Sequence, residues 1–241
     1  MTSRIIATGP DGYFVARDLE SRARSPEPGG PSLTGDTRPN TLQITAATPS
    51  APGVGAAPRF REYADPDERS WLRCRVLGFL DTTYFDDVWP TRPAPAPGLS
   101  LVAVSGDDVV AICDASLAEH GATIDTVVVH PDHRRTGLAG ALLDELVRRL
   151  KARGITRLDA WTRDDPGTRA WYEASGFEVG YRYLHVYVTG VDEMADAVQA
   201  QVGLEPRSGF FHADTQDPGV EADLRRRFRR VHACHRFVRD L

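Results

Sequence analysis

A mixed α/β fold follows from two features of the chain. Strand signals rich in β-branched residues run in succession from Leu101 to Val129 with no helix between them, which predicts an antiparallel meander. An amphipathic helical stretch then separates the third strand from a fourth. A helix crossing between two strands predicts that they lie parallel. The expected sheet is therefore mixed, mostly antiparallel and flanked by helices.

Composition sets the bounds. At 241 residues the chain could form one large domain or two small ones, and 41% hydrophobic with 26% charged residues describes an ordinary soluble globular protein. A net charge of -5 argues against general nucleic-acid binding. The three cysteines, Cys74, Cys113 and Cys234, form no CxxC unit, so neither a disulfide framework nor a cysteine zinc site is expected, and a reducing cytoplasm is the simplest compartment. No apolar run is long enough to span a bilayer, and Thr8 to Asp11 interrupts any signal-peptide core.

Taken in order, residues 1–57 are rich in Pro, Gly, Ser and Thr and read as a mobile extension, with Tyr13 to Val15 and Leu42 to Ile44 as short runs able to dock as strands. Ordered sequence is expected from Pro58. Arg59 to Tyr63 reads as a short strand, and the following stretch as a helix capped by Asp65, with Trp71, Leu72, Val76, Phe79 and Leu80 near one face. The turn Ser105-Gly106-Asp107-Asp108 joins the first two meander strands, and Thr123 to Val129 is the third.

From Leu138 to Leu150 apolar residues recur at spacings of three and four, and Gly154 ends this helix. Ile155 to Thr162 is the next strand, Pro166 to Ala174 a short helix, and Tyr181 to Val188 a further strand. Val191 to Val202 reads as helix, Gly203 to Gly219 as loop and Glu221 to Arg230 as a basic helix, before a strand-like terminus. Residues 190–228 are thus read as an insertion before the last strand.

The stretch from Val127 to Leu143, VVVHPDHRRTGLAGALL, carries the chemistry. A helix start presents unpaired N–H groups and positive dipole potential. Gly137, Ala139 and Gly140 leave room for an anion to approach the main chain, and Arg134 and Arg135 supply charge. No Lys-Ser or Lys-Thr follows the glycine and no three spaced glycines occur, so neither the Walker A nor the dinucleotide pattern fits.

Arg134-x-x-Gly137-x-Ala139 resembles the R/Q-x-x-G-x-G/A signature of the GNAT superfamily of N-acetyltransferases. A second string, Tyr172 with Gly176-Phe177, is similar to the Y-x-x-x-G-F pattern of the same family. Two positions depart from it: Asp165 and Thr168 stand where many members carry Asn and Ala. The resemblance covers residues 58–189 and the terminal strand. It implies splayed central strands with acetyl-CoA between them and no metal. Main-chain groups of Val127, Val128 and Val129 would pair with the pantetheine arm, and the amides of Arg135, Thr136, Gly137, Leu138, Ala139 and Gly140 would hold the pyrophosphate.

The same resemblance implies the reacting groups. Tyr172 would protonate the leaving thiolate. An alkylammonium of pKa near ~10.4 is largely charged at neutral pH, so the acceptor amine needs a base or a proton path to water. Asp125 is the candidate, four residues before Val129 of the VHP string, where several members of that family place a catalytic Glu, with a structural strand carboxylate as the alternative. Tyr84, Asp86, Asp87 and Trp89 could line the acceptor site, where carboxylates attract a cationic amine; the alternative is a solvated face with buried aromatics. The implied function is transfer of an acetyl group to a primary amine of a small molecule or protein, with an acyl-CoA sensor as the rival. The insertion and the last strand are candidate elements for a homodimer. The histidines of HPDH and HACH fit a polar turn and strand alternation better than a metal site. The run Arg225 to Arg230 reads as a solvated or partner-facing helix.

Overall fold

The computed structural model describes residues 57–93, 97–119, 121–198, 203–207 and 209–241. The expected N-terminal extension, up to residue 56, lies outside these residues. The described chain forms one mixed sheet with strand order β1-β2-β3-β4-β5-β9-β6-β8-β7. β2 (Gly98–Ser105), β3 (Asp108–Ala118) and β4 (Gly121–Val129) are consecutive antiparallel neighbours, as the meander predicts, and β1 (Arg59–Glu62) adds antiparallel to β2 at its edge. β5 (Arg157–Thr162) runs parallel to β4, because α2 (Leu138–Ala152) crosses between them.

β6 (Glu178–Tyr187) does not pair with β5. The last strand, β9 (Arg230–Asp240), lies between them, antiparallel to both. Residues 203–219, read as loop, instead contain a hairpin: β7 (Leu204–Arg207) and β8 (Phe210–Ala213) extend the sheet from β6. Its strands are four residues each, too short for a clear alternation, and Pro206 is tolerated because β7 is the edge strand. α4 (Val191–Val198) and α5 (Pro218–Arg227) flank this hairpin in sequence.

The two faces of the sheet carry different helices. On one, Leu138, Leu142, Leu143, Leu146 and Leu150 of α2 pack with Leu101, Ala103, Cys113, Leu158 and Phe237; Tyr172 of α3 (Pro166–Ala174) joins this cluster. Further along that face Leu224 and Phe228 meet Leu184, Val186 and Ala233. On the other face, Trp71 and Cys74 of α1 (Glu68–Phe79) pack on Val102, Ile112 and Val128. The start of α1 departs from expectation. Asp65 sits in a preceding 3-10 turn, and it is Asp67 that accepts the Ala64 N–H, at 2.9 Å, while also binding Arg61. Leu80, expected on the packed face, is 63% exposed, because the buried stripe is Trp71, Cys74, Arg75 and Gly78.

Gly78 explains how close α1 comes to the sheet: a Cβ there would stand 2.1 Å from Val128 Cγ1. α2 ends as predicted, with Gly154 at φ 74° and its N–H on the Lys151 carbonyl, a backbone conformation costly for a residue with a Cβ.

Candidate active site

The site begins where two parallel strands part. β4 pairs with β5 only over Ala122, Thr123 and Ile124, yet it continues beside β3 to Val129. A bulge between Ile124 and Thr126 makes Asp125 the extra residue, and bulges bend a strand. Among the described residues, Val127 to Val129 therefore have no strand partner on the β5 side.

At the end of β4 the chain turns through Pro131–His133 into α2. His130 Nδ1 accepts the Asp132 N–H, and Thr136 Oγ1 donates to the His133 carbonyl at 2.6 Å. Arg135 (φ 60°) and Gly137 (φ 83°) bracket Thr136 in left-handed conformations, an arrangement that turns successive N–H groups toward one concavity. The first intrahelical bond runs from Ala141 N–H to the Gly137 carbonyl, so the amides of Leu138, Ala139 and Gly140 precede it. No side chain caps this end, whereas Asp165 and Asp217 cap α3 and α5 by accepting the Thr168 and Gly219 N–H groups, each at 2.7 Å. A Cβ at Gly137 or Gly140 would meet nothing within 4 Å. The helix start is thus uncapped, uncrowded and suited to an anion. Of the two arginines, Arg134 is already held: it is bidentate to Asp81 at 2.7 and 2.9 Å and donates to the Gly78 carbonyl. Arg135 is exposed.

Tyr172 lies on the α2 face of the sheet and is 3% exposed. Its ring stacks on Phe237 with centroids 5.0 Å apart and meets Phe177 edge-on at 5.2 Å. Burial, with smaller effects of Cys113 and Tyr84, pushes its pKa well above the ordinary phenol value. The hydroxyl therefore keeps its proton at neutral pH and is a donor.

Across the sheet, the segment after α1 is tied down by arginines. Arg75, 3% exposed, binds the Asp87 carboxylate at 2.6 Å and its carbonyl at 2.7 Å, and stacks over Trp89. Arg230 is bidentate to Asp86, which holds that carboxyl below the usual range. Tyr84 stacks on Phe79, its hydroxyl accepts the Arg163 N–H at 3.0 Å, and burial raises its pKa. Asp86 and Asp87 thus each face an arginine. Asp125 accepts a hydrogen bond from Ser116 Oγ at 3.1 Å and is exposed.

Residues 60–177 match the acetyltransferase (GNAT) family. The chain carries a domain of that family. The acetyltransferase domain also resembles solved structures. The ribosomal-protein-S18-alanine N-acetyltransferase of Escherichia coli is 15% identical, with 76% of this chain and 93% of that one covered and a TM-score of 0.49. A GNAT family acetyltransferase of Elizabethkingia anophelis with acetyl-CoA bound is 11% identical over 77% and 99%, with a TM-score of 0.46. The PaiA N-acetyltransferase of Thermoplasma acidophilum in complex with coenzyme A is 10% identical over 65% and 97%, with a TM-score of 0.45.

Several interactions around the segment after α1 and the end of β5 escaped sequence reasoning. Arg163 places its guanidinium over Tyr84 and donates to the Thr83 carbonyl at 2.5 Å; Asp164 and His232 form a pair 68 residues apart in sequence. No local pattern announces such a pair, since β9 reaches β5 only through the completed sheet. The basic run is also explained by tertiary contacts: Arg225 meets Glu221 and Asp164, Arg226 meets Asp223, Arg227 meets Asp223 and Asp196, and Arg229 meets Asp192. Each of these guanidiniums is matched by a carboxylate. Among the described residues there is no group of three or more His, Cys, Asp or Glu placed to hold a metal, and no helix long and apolar enough to cross a membrane.

Proposed function

We propose that the chain is an acetyl-CoA-dependent N-acetyltransferase that moves the acetyl group to a primary amine by direct attack. The observation that carries this reading is the uncapped, glycine-lined start of α2 at the end of a strand whose inner edge is left unpaired. A pyrophosphate would take hydrogen bonds from the amides of residues 135–140, with Arg135 adding charge. The pantetheine arm would pair with Val127, Val128 and Val129 as a further strand does. A main-chain N–H there would act as an oxyanion donor to the thioester carbonyl.

In this reading Tyr172 protonates the departing sulfur. Burial keeps the phenol protonated, so a proton is in place, while the raised pKa makes it a weaker acid and the transfer depends on the hydroxyl being held against the departing sulfur. The proton leaving the amine needs an acceptor on the opposite face, and Asp125 is the candidate on β4. Tyr84, Asp86 and Asp87 would border the acceptor, with the two carboxylates acting first as anchors of their segment. Those arginine pairs also favour a second reading, a sensor that binds acyl-CoA without turnover, since they leave less negative charge to draw in an amine.

Calorimetry with acetyl-CoA followed by thiol release over a panel of primary amines separates the two. Binding with turnover supports the enzyme, binding without turnover across the panel supports the sensor, and no binding removes both. Tyr172→Phe is expected to lower turnover by roughly 10- to 100-fold while acetyl-CoA affinity stays close to that of the native chain. Unchanged turnover at saturating substrate would exclude Tyr172 from the chemistry.

A further inference from the structure

The register of the sheet brings one histidine close to the level of the unpaired end of β4. Following the ladder from Ile124 to Ala160 and from Ala160 to Phe237, and counting the Asp125 bulge, Val127 to Val129 stand level with the end of β5 and with residues 233–235 of β9. His232 is one step further. Phe237 and Ala233 of β9 pack toward the helices α2, α3 and α5, so His232 and Cys234, of opposite parity, lie on the other face. That is the face of α1 and of the segment carrying Asp86, which reaches Arg230 two residues from His232. Cofactor and acceptor would approach the strand gap from opposite sides, with His232 on the acceptor's side.

His232 is also oriented for the task. Its Nδ1 is 2.9 Å from Asp164 Oδ1, and Asp164 is fixed further by Arg225 at 2.9 Å and by the Ala233 amide. Burial would raise the Asp164 pKa, but the hydrogen bonds from His232, Arg225 and Ala233 outweigh it and hold the carboxyl below the usual range. An ionised carboxylate only accepts, so Nδ1 carries the hydrogen and Nε2 the lone pair. Arg230 Nε–H donates to Nε2 at 3.3 Å, a long hydrogen bond that the amine must displace to reach the lone pair, and the same guanidinium is anchored on Asp86 and over Tyr187. The other groups near the imidazole are His185, its cross-strand partner on β6, and the Tyr187 ring edge at 6.0 Å.

We propose that His232, oriented by Asp164, is the general base that takes the proton of the attacking amine. This rests on the acetyltransferase reading above and replaces Asp125 in the base role. An ammonium acceptor first gives one proton to water. The neutral nitrogen then bonds to the thioester carbonyl carbon, its proton passes to Nε2, and the C–S bond breaks with its electron pair on sulfur. Tyr172 protonates that sulfur, and the imidazolium returns a proton to Tyr172 through water. Asp164 is a positioning residue: it sets the tautomer and stabilises the imidazolium.

The test uses the full chain, acetyl-CoA and whichever panel amine the native chain turns over fastest. His232→Gln is expected to lower kcat about 100-fold, leave the acetyl-CoA Kd within about twofold, and make the acid limb of the kcat/KM profile shallower, leaving the part that comes from ionisation of the free amine. Asp164→Asn should lower kcat by a smaller factor and move that limb, and Asp125→Asn should leave it in place. His232→Asn retains a donor toward Asp164 and serves as the second variant; it should lose turnover equally while binding acetyl-CoA. Turnover and acid limb unchanged in both His232 variants would overturn the proposal alone. Acetyl-CoA binding without turnover by the native chain would overturn it together with the enzyme reading.

Discussion

His185 shows how a single buried side chain couples the sheet to pH. It is 2% exposed, its ring stacks on Phe210 with centroids 4.0 Å apart, and Nε2 lies 2.8 Å from the Tyr183 hydroxyl. Burial first, then the charges of Arg163, His232 and His212, pushes its pKa from 6.5 down to about 3. The unfolded chain binds a proton here below the ordinary value, and the folded chain refuses it until far lower pH. The contribution to stability is complete above pH 6.5 and is lost as pH falls toward about 3, at up to about 1.4 kcal/mol per pH unit. His185→Gln should therefore flatten the fall of Tm across that window. An equally steep fall in the variant would assign acid sensitivity to carboxylates such as Asp164 instead. At this scale the sequence was a poor guide. Asp86 and Asp87 read as carboxylates awaiting an amine because Arg230 and Arg75, their partners, are distant or unremarkable in the chain. Tyr172 was legible as a motif residue, but its burial against Phe237 was not.

At the scale of elements, α2 was readable from end to end: its apolar spacing, the glycine that stops it and the small residues that open it are all local. Its start makes a clean prediction. A Cβ at Gly140 meets nothing within 4 Å, and an acid in the first turn of a helix is favourable to the dipole. Gly140→Asp should fold with unchanged or slightly higher Tm. The added charge would face the pyrophosphate, so acetyl-CoA binding by calorimetry should weaken on the order of tenfold or more. Unaltered affinity would mean that the anion lies elsewhere. The short elements were harder to read. β7 and β8 are four residues each, and Asp67 rather than Asp65 caps the approach to α1, because the chain bends through a 3-10 turn before the helix begins.

For the whole molecule, β9 is the decisive element. It is the last strand in sequence but sits between β5 and β6, pairing with both along most of its eleven residues. Phe237, in its second half, is fully buried against Tyr172. A chain truncated after Phe228 keeps α5 but exposes two inner strand edges, and is expected to lose cooperative thermal unfolding by circular dichroism. A sharp melt in that variant would show that the β6 to β8 ribbon closes onto β5 without it.

The sequence by itself determined the meander, the parallel crossover and the anion-suited helix start, because each depends on residues close together in the chain: alternation, periodicity of three and four, and glycine where φ is positive. Tertiary structure decided the rest. Which strand lies beside β5, which carboxylates are matched by arginines, and which histidine meets Asp164 all depend on pairings between segments far apart in sequence, and those are set by the sheet as a whole.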